Sequence, residues 1–557
     1  MQRRKFIRNT FITTTGAAII PKALLADYHL FPSDPESDVK AMVNANAAGK
    51  KIKHFWSTCV GAGRANEGLR ASWLEQLKLS QDLCGFKYCR FHGLFHDDMF
   101  VYQEINRKAV YNWQYIDDLF DRMLDIGVKP FVELGFMPKD LSSNDTTMQF
   151  WWKAHISPPK DYAKWAALVS EFTKHCISRY GLNEVRTWYF EVWNEPNLRG
   201  FWLGTKAQYF ELYKVSVKAI KAIDQKIPVG GPSTSNFVPD ERFDGDLEDK
   251  SKHKTLTVKD INTLEWRAVW IKDFLIYCKQ ENLPVDFVST HPYPTDWALD
   301  PMTGKGGGAV RKVNATKEDL TWLKKTIKES AYPNAEIHCT EWSSSPSSRD
   351  TTHDSLQAAT FIIKANVESI GLADSLSYWT FSDIFEEKGG GASIFHGGFG
   401  LINFQGIVKP SFHAYRMLNR LGDEVIHQQE GIIITRNSKT KKITTLLYHY
   451  PAERKNVVDG NVEAVLNSGS DRKFDVLLSG LKAKSEFEIE ILDKNNGFAY
   501  PKWKQMGGPE PPTREQTKAL KKIAMEVKIE KTSADASGKL NWGRNLHPWD
   551  CVLLSER

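Results

Sequence analysis

For about 360 residues the chain alternates short apolar, strand-like runs with amphipathic helical ones, a rhythm that suits parallel strands joined by crossover helices. The strand-like runs extend from His54 to Gly61, Phe86 to Gly93, Lys129 to Phe136, Thr187 to Asn197, Ile227 to Ser233, Val285 to Pro294, Ala335 to Ser343 and Ser375 to Asp383. Between the second and third, WQYIDDLFDRMLDIG repeats its apolar positions every three and four residues, as a helix with one buried face does. Eight strands separated by helices predict an α/β fold, a (β/α)8 TIM barrel over residues 50–410. A charged stretch from Asp240 to Asp260 interrupts the rhythm and is expected to be a surface loop near the barrel mouth.

From residue 411 the pattern changes. GIIITRN, KITTLLYHY, KFDVLLSGL and EFEIEILD alternate apolar and polar residues between turn signals, which predicts a C-terminal antiparallel β-sandwich over 411–557. A short helix around Glu515 to Ala524 and a last strand in WDCVLL complete it, and its expected role is to pack against the barrel. Residues 27–49 read as a linker and an N-terminal strand. Residues 1–26 read as an export signal: MQRRKFIRN is a basic n-region, a short apolar stretch follows, and Arg3 and Arg4 resemble the twin-arginine type. The expected location is therefore periplasmic or secreted.

The formal charge of +6 is carried mostly by that leader, and without its five basic residues it is about +1. Such a balance gives no reason to expect a nucleic-acid partner, and beyond the leader no apolar run is long enough to cross a membrane. The seven cysteines are scattered without metal or CxxC spacing and read as buried free thiols. The glycine clusters at 306–308 and 389–391 lack the ending of a phosphate loop, and no metal or cofactor is expected.

Two strand-like runs end on a glutamate: TWYFEVWNEPN delivers Glu195, and AEIHCTEWS delivers Glu341, 146 residues later. In a parallel barrel the C-terminal strand ends converge on one mouth, so these two carboxylates are predicted to face each other there. Two carboxylates across a sugar ring are what cleavage of a glycosidic bond requires. The acid of such a pair must hold a proton near neutral pH, so burial is expected to raise the pKa of one of them.

Seven stretches in order resemble glycoside hydrolase family 39, which includes β-xylosidases and α-L-iduronidases: RFHGLFHDD, KPFVELGFMP, FEVWNEPN, HPYP, TEWSSSPSSRD, YWTFSDIFEE and FHGGFGLIN. The resemblance implies a double displacement with retention, Glu195 as general acid/base and Glu341 as nucleophile. It further implies that Asn194 binds the sugar 2-hydroxyl, that His92 lines the innermost sugar site, and that His291 and Tyr293 stand at the sixth strand end. Trp379 resembles a platform for the ring, with Glu386 or Glu387 binding hydroxyls beyond it. Family iduronidases carry a lysine two residues after the sixth-strand histidine, and here Tyr293 stands in that place. A neutral pentose fits better, so the expected substrate is an oligosaccharide with terminal β-D-xylosyl residues. An α-L-arabinopyranoside, an α-L-iduronide and a non-catalytic carbohydrate-binding protein remain as alternatives.

Overall fold

The computed structural model describes residues 38–238, 265–295, 311–451 and 462–557. The export segment and the stretch from Asp240 to Asp260 lie outside the described residues.

The eight predicted runs are the eight strands of a closed parallel barrel. They are Cys59–Arg64, Tyr88–His92, Lys129–Leu134, Tyr189–Val192, Val229–Ser235, Phe287–His291, Glu336–Trp342 and Ser375–Tyr378. Each pairs with the next in chain order, and the eighth closes on the first through Tyr378 and Val60. A helix follows every strand, and local chemistry sets where each helix begins and ends. The helix Gln114–Ile126 buries Ile116, Leu119, Phe120 and Met123 on one stripe and stops at Gly127, whose φ of 89° only glycine takes without strain. The Asp161 carboxylate accepts from the Ala163 and Lys164 amides to start Tyr162–Tyr180, and Thr205 and Gln208 form a capping box for Lys206–Ile223. The helix after the fifth strand begins at Ile271, because Arg267–Ala268 just before it pair with Phe237–Val238 as a small ribbon.

Inside the barrel the strand period of two stacks side chains in layers. Phe131, Tyr189, Phe287 and His338 pack ring on ring at the N-terminal end, with centroids 4.7 to 5.5 Å apart, and close that end. Two residues further up the same faces stand Glu133, Glu191, Ser289 and Thr340, all polar, and they found the site described below.

The second unit is a two-sheet sandwich whose strands come from both ends of the described chain. One sheet has seven strands and includes Lys50–Lys51 at an edge. The other joins Val39–Asn44 to Arg472–Ser479 and Leu540–Leu546. Val39, Ala41 and Val43 point into the core shared with Phe474, Val476, Ile489 and Leu554. Val39–Asn44 runs parallel to its neighbour, so the sandwich is neither wholly antiparallel nor confined to 411–557. Residues 410–419 are the eighth barrel helix, Pro410–Asn419, and the barrel extends past residue 410 accordingly. All seven cysteines are buried and free.

Candidate active site

Arg90 organises the floor of the mouth. Tyr88, Arg90 and His92 climb one face of the second strand, and Arg90 is fully buried among carboxylates from three other strands. Its Nε donates to Glu191 Oε2 at 2.6 Å, Nη1 to Glu341 Oε1 at 2.8 Å, and Nη2 to Asn194 Oδ1 at 2.8 Å and Ser233 Oγ at 3.2 Å. Glu133 Oε2 lies 2.9 Å from Nη2 and also accepts from His92 Nδ1 at 2.7 Å. Burial disfavours the guanidinium charge, but Glu191, Glu133 and Glu341 outweigh it and hold the proton more tightly than usual. Burial likewise pushes Glu191 upward, and Arg90 and His291 bring it below the ordinary carboxylate range.

Backbone irregularities turn the two predicted glutamates inward. Trp193 and Glu195 take left-handed φ values of 72° and 46°, held by hydrogen bonds from Trp193 N to Leu134 O and from Glu195 N to Ser233 O. On the seventh strand the register shifts between Cys339 and Trp342, which lets Thr340 and Glu341, of opposite parity, both reach the interior. Thr340 donates to Glu191 at 2.8 Å while Glu341 meets Arg90.

Glu341 is held at both oxygens. Arg90 serves Oε1, with His92 Nε2 at 3.5 Å, and the Tyr293 hydroxyl donates to Oε2 at 3.0 Å. His291 Nδ1 stands 2.9 Å from Glu195 Oε1 and 3.7 Å from Glu341 Oε2, while its Nε2 lies 3.1 Å from both Ser233 Oγ and Thr340 Oγ1. One oxygen of each glutamate and one nitrogen of His291 all lie within 4.8 Å of one another. Such spacing would also suit a metal ion, but both oxygens of Glu341 already have N–H or O–H donors.

The expectation that burial raises the pKa of the acid is corrected for the free site. Burial pushes Glu195 upward, but the hydrogen bond and charge of His291, with Ser235, more than offset it and hold the carboxyl below its usual range. His291 shows the converse: burial lowers it, and Glu341 and Glu195 bring it above its usual value. The proton therefore belongs to the Glu195–His291 pair.

The cleft has a volume of about 230 Å3 and brings together His92, Asn194, Glu195, Tyr293, Glu341, Trp379 and Glu387 from the predicted set. His291 lies directly beneath them. Asn194 Nδ2 is buried without a partner. Trp379 is buried with its ring 4.7 Å from that of His92 and the Arg90 guanidinium 5.8 Å away. Desolvation, then Glu341 and Glu195, push the Glu387 carboxyl well above its usual value. Glu386 is not brought to the cleft. Its carboxylate binds Arg64 at 3.1 Å and Arg70 at 2.6 Å, and its amide donates to Glu67, so it pins the loop that carries Glu387.

Arg90, Glu133, Glu191 and Asn236 were not singled out in the sequence, though a signal was present. Barrel strands buried on both faces should read as apolar, and a charge two residues before His92 or inside YFEV breaks that rule.

The profile of the glycosyl hydrolases family 39 matches residues 39–541. A β-xylosidase of Geobacillus stearothermophilus is 36% identical over 502 residues, covering 88% of this chain and 91% of that protein. A β-xylosidase of Caldicellulosiruptor saccharolyticus is 38% identical over 498 residues, covering 89% and 93%. The crystal structure of a β-xylosidase from Caulobacter crescentus superposes with a TM-score of 0.80 at 32% identity, covering 93% of this chain and 99% of that one.

Proposed function

The chain belongs to the glycosyl hydrolases family 39 and is a glycoside hydrolase, and from that premise we propose that it removes terminal β-D-xylosyl residues with retention at the anomeric carbon. The observation that carries the mechanism is the closeness of Glu195 and Glu341, whose nearest oxygens lie within 4.8 Å. Retaining sites hold their carboxyl groups about 5 to 5.5 Å apart, whereas inverting sites leave about 6.5 to 9.5 Å for a water.

Glu341 is the nucleophile, oriented by Arg90 and Tyr293, and forms the bond to the anomeric carbon as Glu195 passes a proton to the departing oxygen. In the second step Glu195 takes a proton from water, which attacks the anomeric carbon and releases Glu341. His291 holds the shared proton beside Glu195 between turnovers. The unpartnered Asn194 Nδ2 is the donor for the sugar 2-hydroxyl, a bond that strengthens as positive charge develops on the ring. Trp379 and Phe399 supply apolar surface, and the Glu387 carboxyl at the cleft binds sugar hydroxyls. Tyr293 stands where family iduronidases carry a lysine and gives its hydroxyl to Glu341, so this position offers no cation to a substrate carboxylate, which favours a pentose over an iduronide.

Sugar release from p-nitrophenyl β-D-xyloside, α-L-arabinopyranoside, α-L-iduronide and β-D-glucoside tests this reading. The β-xyloside is expected to react fastest, and Glu341→Ala to abolish the reaction. Glu195→Ala should cost about 10²- to 10⁴-fold on xylobiose and far less on dinitrophenyl xyloside, whose leaving group needs little protonation. Equal losses across leaving groups would count against the acid/base role. The basic leader further supports export through the twin-arginine route. Cell fractionation that finds the unprocessed protein in the cytoplasm would overturn that part of the proposal.

A further inference from the structure

Asn236 is a cleft residue with no task in the mechanism above. It follows the fifth barrel strand, is 3% exposed and has a left-handed φ of 72°. Its amide donates to the His291 carbonyl at 3.1 Å and its carbonyl accepts from Val269 N, so the backbone is fixed from both sides. The side chain lines the cavity beside Glu195 and Ser235, yet neither Oδ1 nor Nδ2 has a partner. Buried amides are almost always hydrogen-bonded, because a lost bond to water is otherwise uncompensated. In a cleft that receives a polyol, the missing partners are hydroxyls.

The order of strands around the mouth says whose hydroxyls they are. Glu341, Trp379, Glu387 and His92 come from the seventh, eighth and second strands and their loops, and they surround the ring whose anomeric carbon is attacked. Glu195 and Asn236 come from the fourth and fifth, which lie across the barrel from the eighth and first. Glu195 faces the departing oxygen, so the next residue around that arc faces the departing sugar.

We propose that Asn236 recognises the leaving sugar, donating from Nδ2 to one hydroxyl and accepting at Oδ1 from its neighbour. A vicinal diol on a neutral pyranose fits that pair, and an apolar aglycone does not. The inference rests on the β-xylosidase reading. It makes Asn236 a determinant of how efficiently oligosaccharides react relative to aryl glycosides.

Xylobiose and p-nitrophenyl β-D-xyloside share one glycone, but only xylobiose offers leaving-group hydroxyls. In Asn236→Ala the ratio of kcat/KM for xylobiose to that for the nitrophenyl xyloside is expected to fall at least ten-fold. Asn236→Asp keeps the volume while losing the Nδ2 donor, so the ratio must fall there too, and this variant decides the matter if the alanine variant does not fold. A wild type active on both substrates with an unmoved ratio in the variants overturns the assignment. A wild type inactive on both overturns the β-xylosidase reading and this inference with it.

Discussion

A guanidinium among three glutamates cannot be replaced by charge alone. Arg90 meets Glu191, Glu341, Asn194 and Ser233 in one planar fork, and a lysine at that position can reach one or two of them. Arg90→Lys is therefore expected to lower kcat/KM by at least about 10²-fold, through the misplacement of Glu341 and Asn194. Arg90→Met leaves three buried carboxylates uncompensated and should cost about 3 to 5 kcal/mol of stability, read as a lower denaturant midpoint. The Glu195–His291 pair makes a prediction about pH. Because Glu341 and Glu195 hold the His291 proton above its usual range, the pair stays singly protonated past pH 6.5. The alkaline limb of kcat/KM on xylobiose should therefore have its midpoint above that pH, and a midpoint below 6 would mean that the proton is not shared.

At the scale of the elements, the position of Trp379 depends on a glycine in another strand. A Cβ placed on Gly61, in the first barrel strand, would run into Trp379 Cε3 and the Tyr378 carbonyl. Gly61→Ala is thus expected to cost about 1 to 3 kcal/mol in overpacking and to tilt the indole away from the sugar. Activity and melting temperature should fall together, and a variant with wild-type kcat/KM would show that the Trp379 position is not critical. The strands themselves were legible in the sequence, because short runs rich in apolar residues alternate with amphipathic helical ones. Their observed ends differ from the sequence reading by a few residues, since ladder pairing and not composition sets them. Val39–Asn44 was legible as a strand but not as a member of the sandwich, because its partner Arg472–Ser479 lies more than 400 residues away and such pairing leaves no local mark. The helix Pro410–Asn419 was assigned across a boundary because eight of its ten residues are buried, which hides its amphipathic period. At the site, the motifs placed Glu195 and Glu341 at strand ends. The irregular register that aims Glu341, and the tie of Glu386 to two arginines, exist only once distant strands have met.

On the scale of the molecule, barrel and sandwich are joined by an insertion that reaches back to the mouth. The helices Tyr500–Gln505 and Arg514–Met525 lie between two sandwich strands and pack on the barrel, where Tyr500 and Trp503 enclose Phe395 of the eighth-strand loop and Glu510 accepts from the Ile394 amide at 3.0 Å. The same loop carries Glu387 and Phe399 into the cleft, so the second unit braces the site from behind. His413 of the eighth barrel helix fixes this contact. Its Nε2 donates to Ala524 O at 2.7 Å and its Nδ1 accepts from Arg416 Nε at 3.2 Å, which defines a neutral imidazole. Burial, helped by the Arg416 charge, lowers its pKa to about 3. The sign follows directly: above pH 6.5 the ring is neutral in both folded and unfolded chains and the full stability is present. As pH falls below 6.5 the unfolded chain gains a proton that the folded one refuses, so stability is lost progressively toward pH 3 at about 1.4 kcal/mol per pH unit. His413→Gln keeps a donor for Ala524 and removes the titration, and its melting temperature should therefore fall less than that of the wild type between pH 6.5 and 4.5. If the two fall in parallel, acid unfolding begins elsewhere. If the variant is also less active at neutral pH, the contact at His413 is felt through the insertion at the eighth-strand loop, which is how a residue remote from the sugar would govern the cleft.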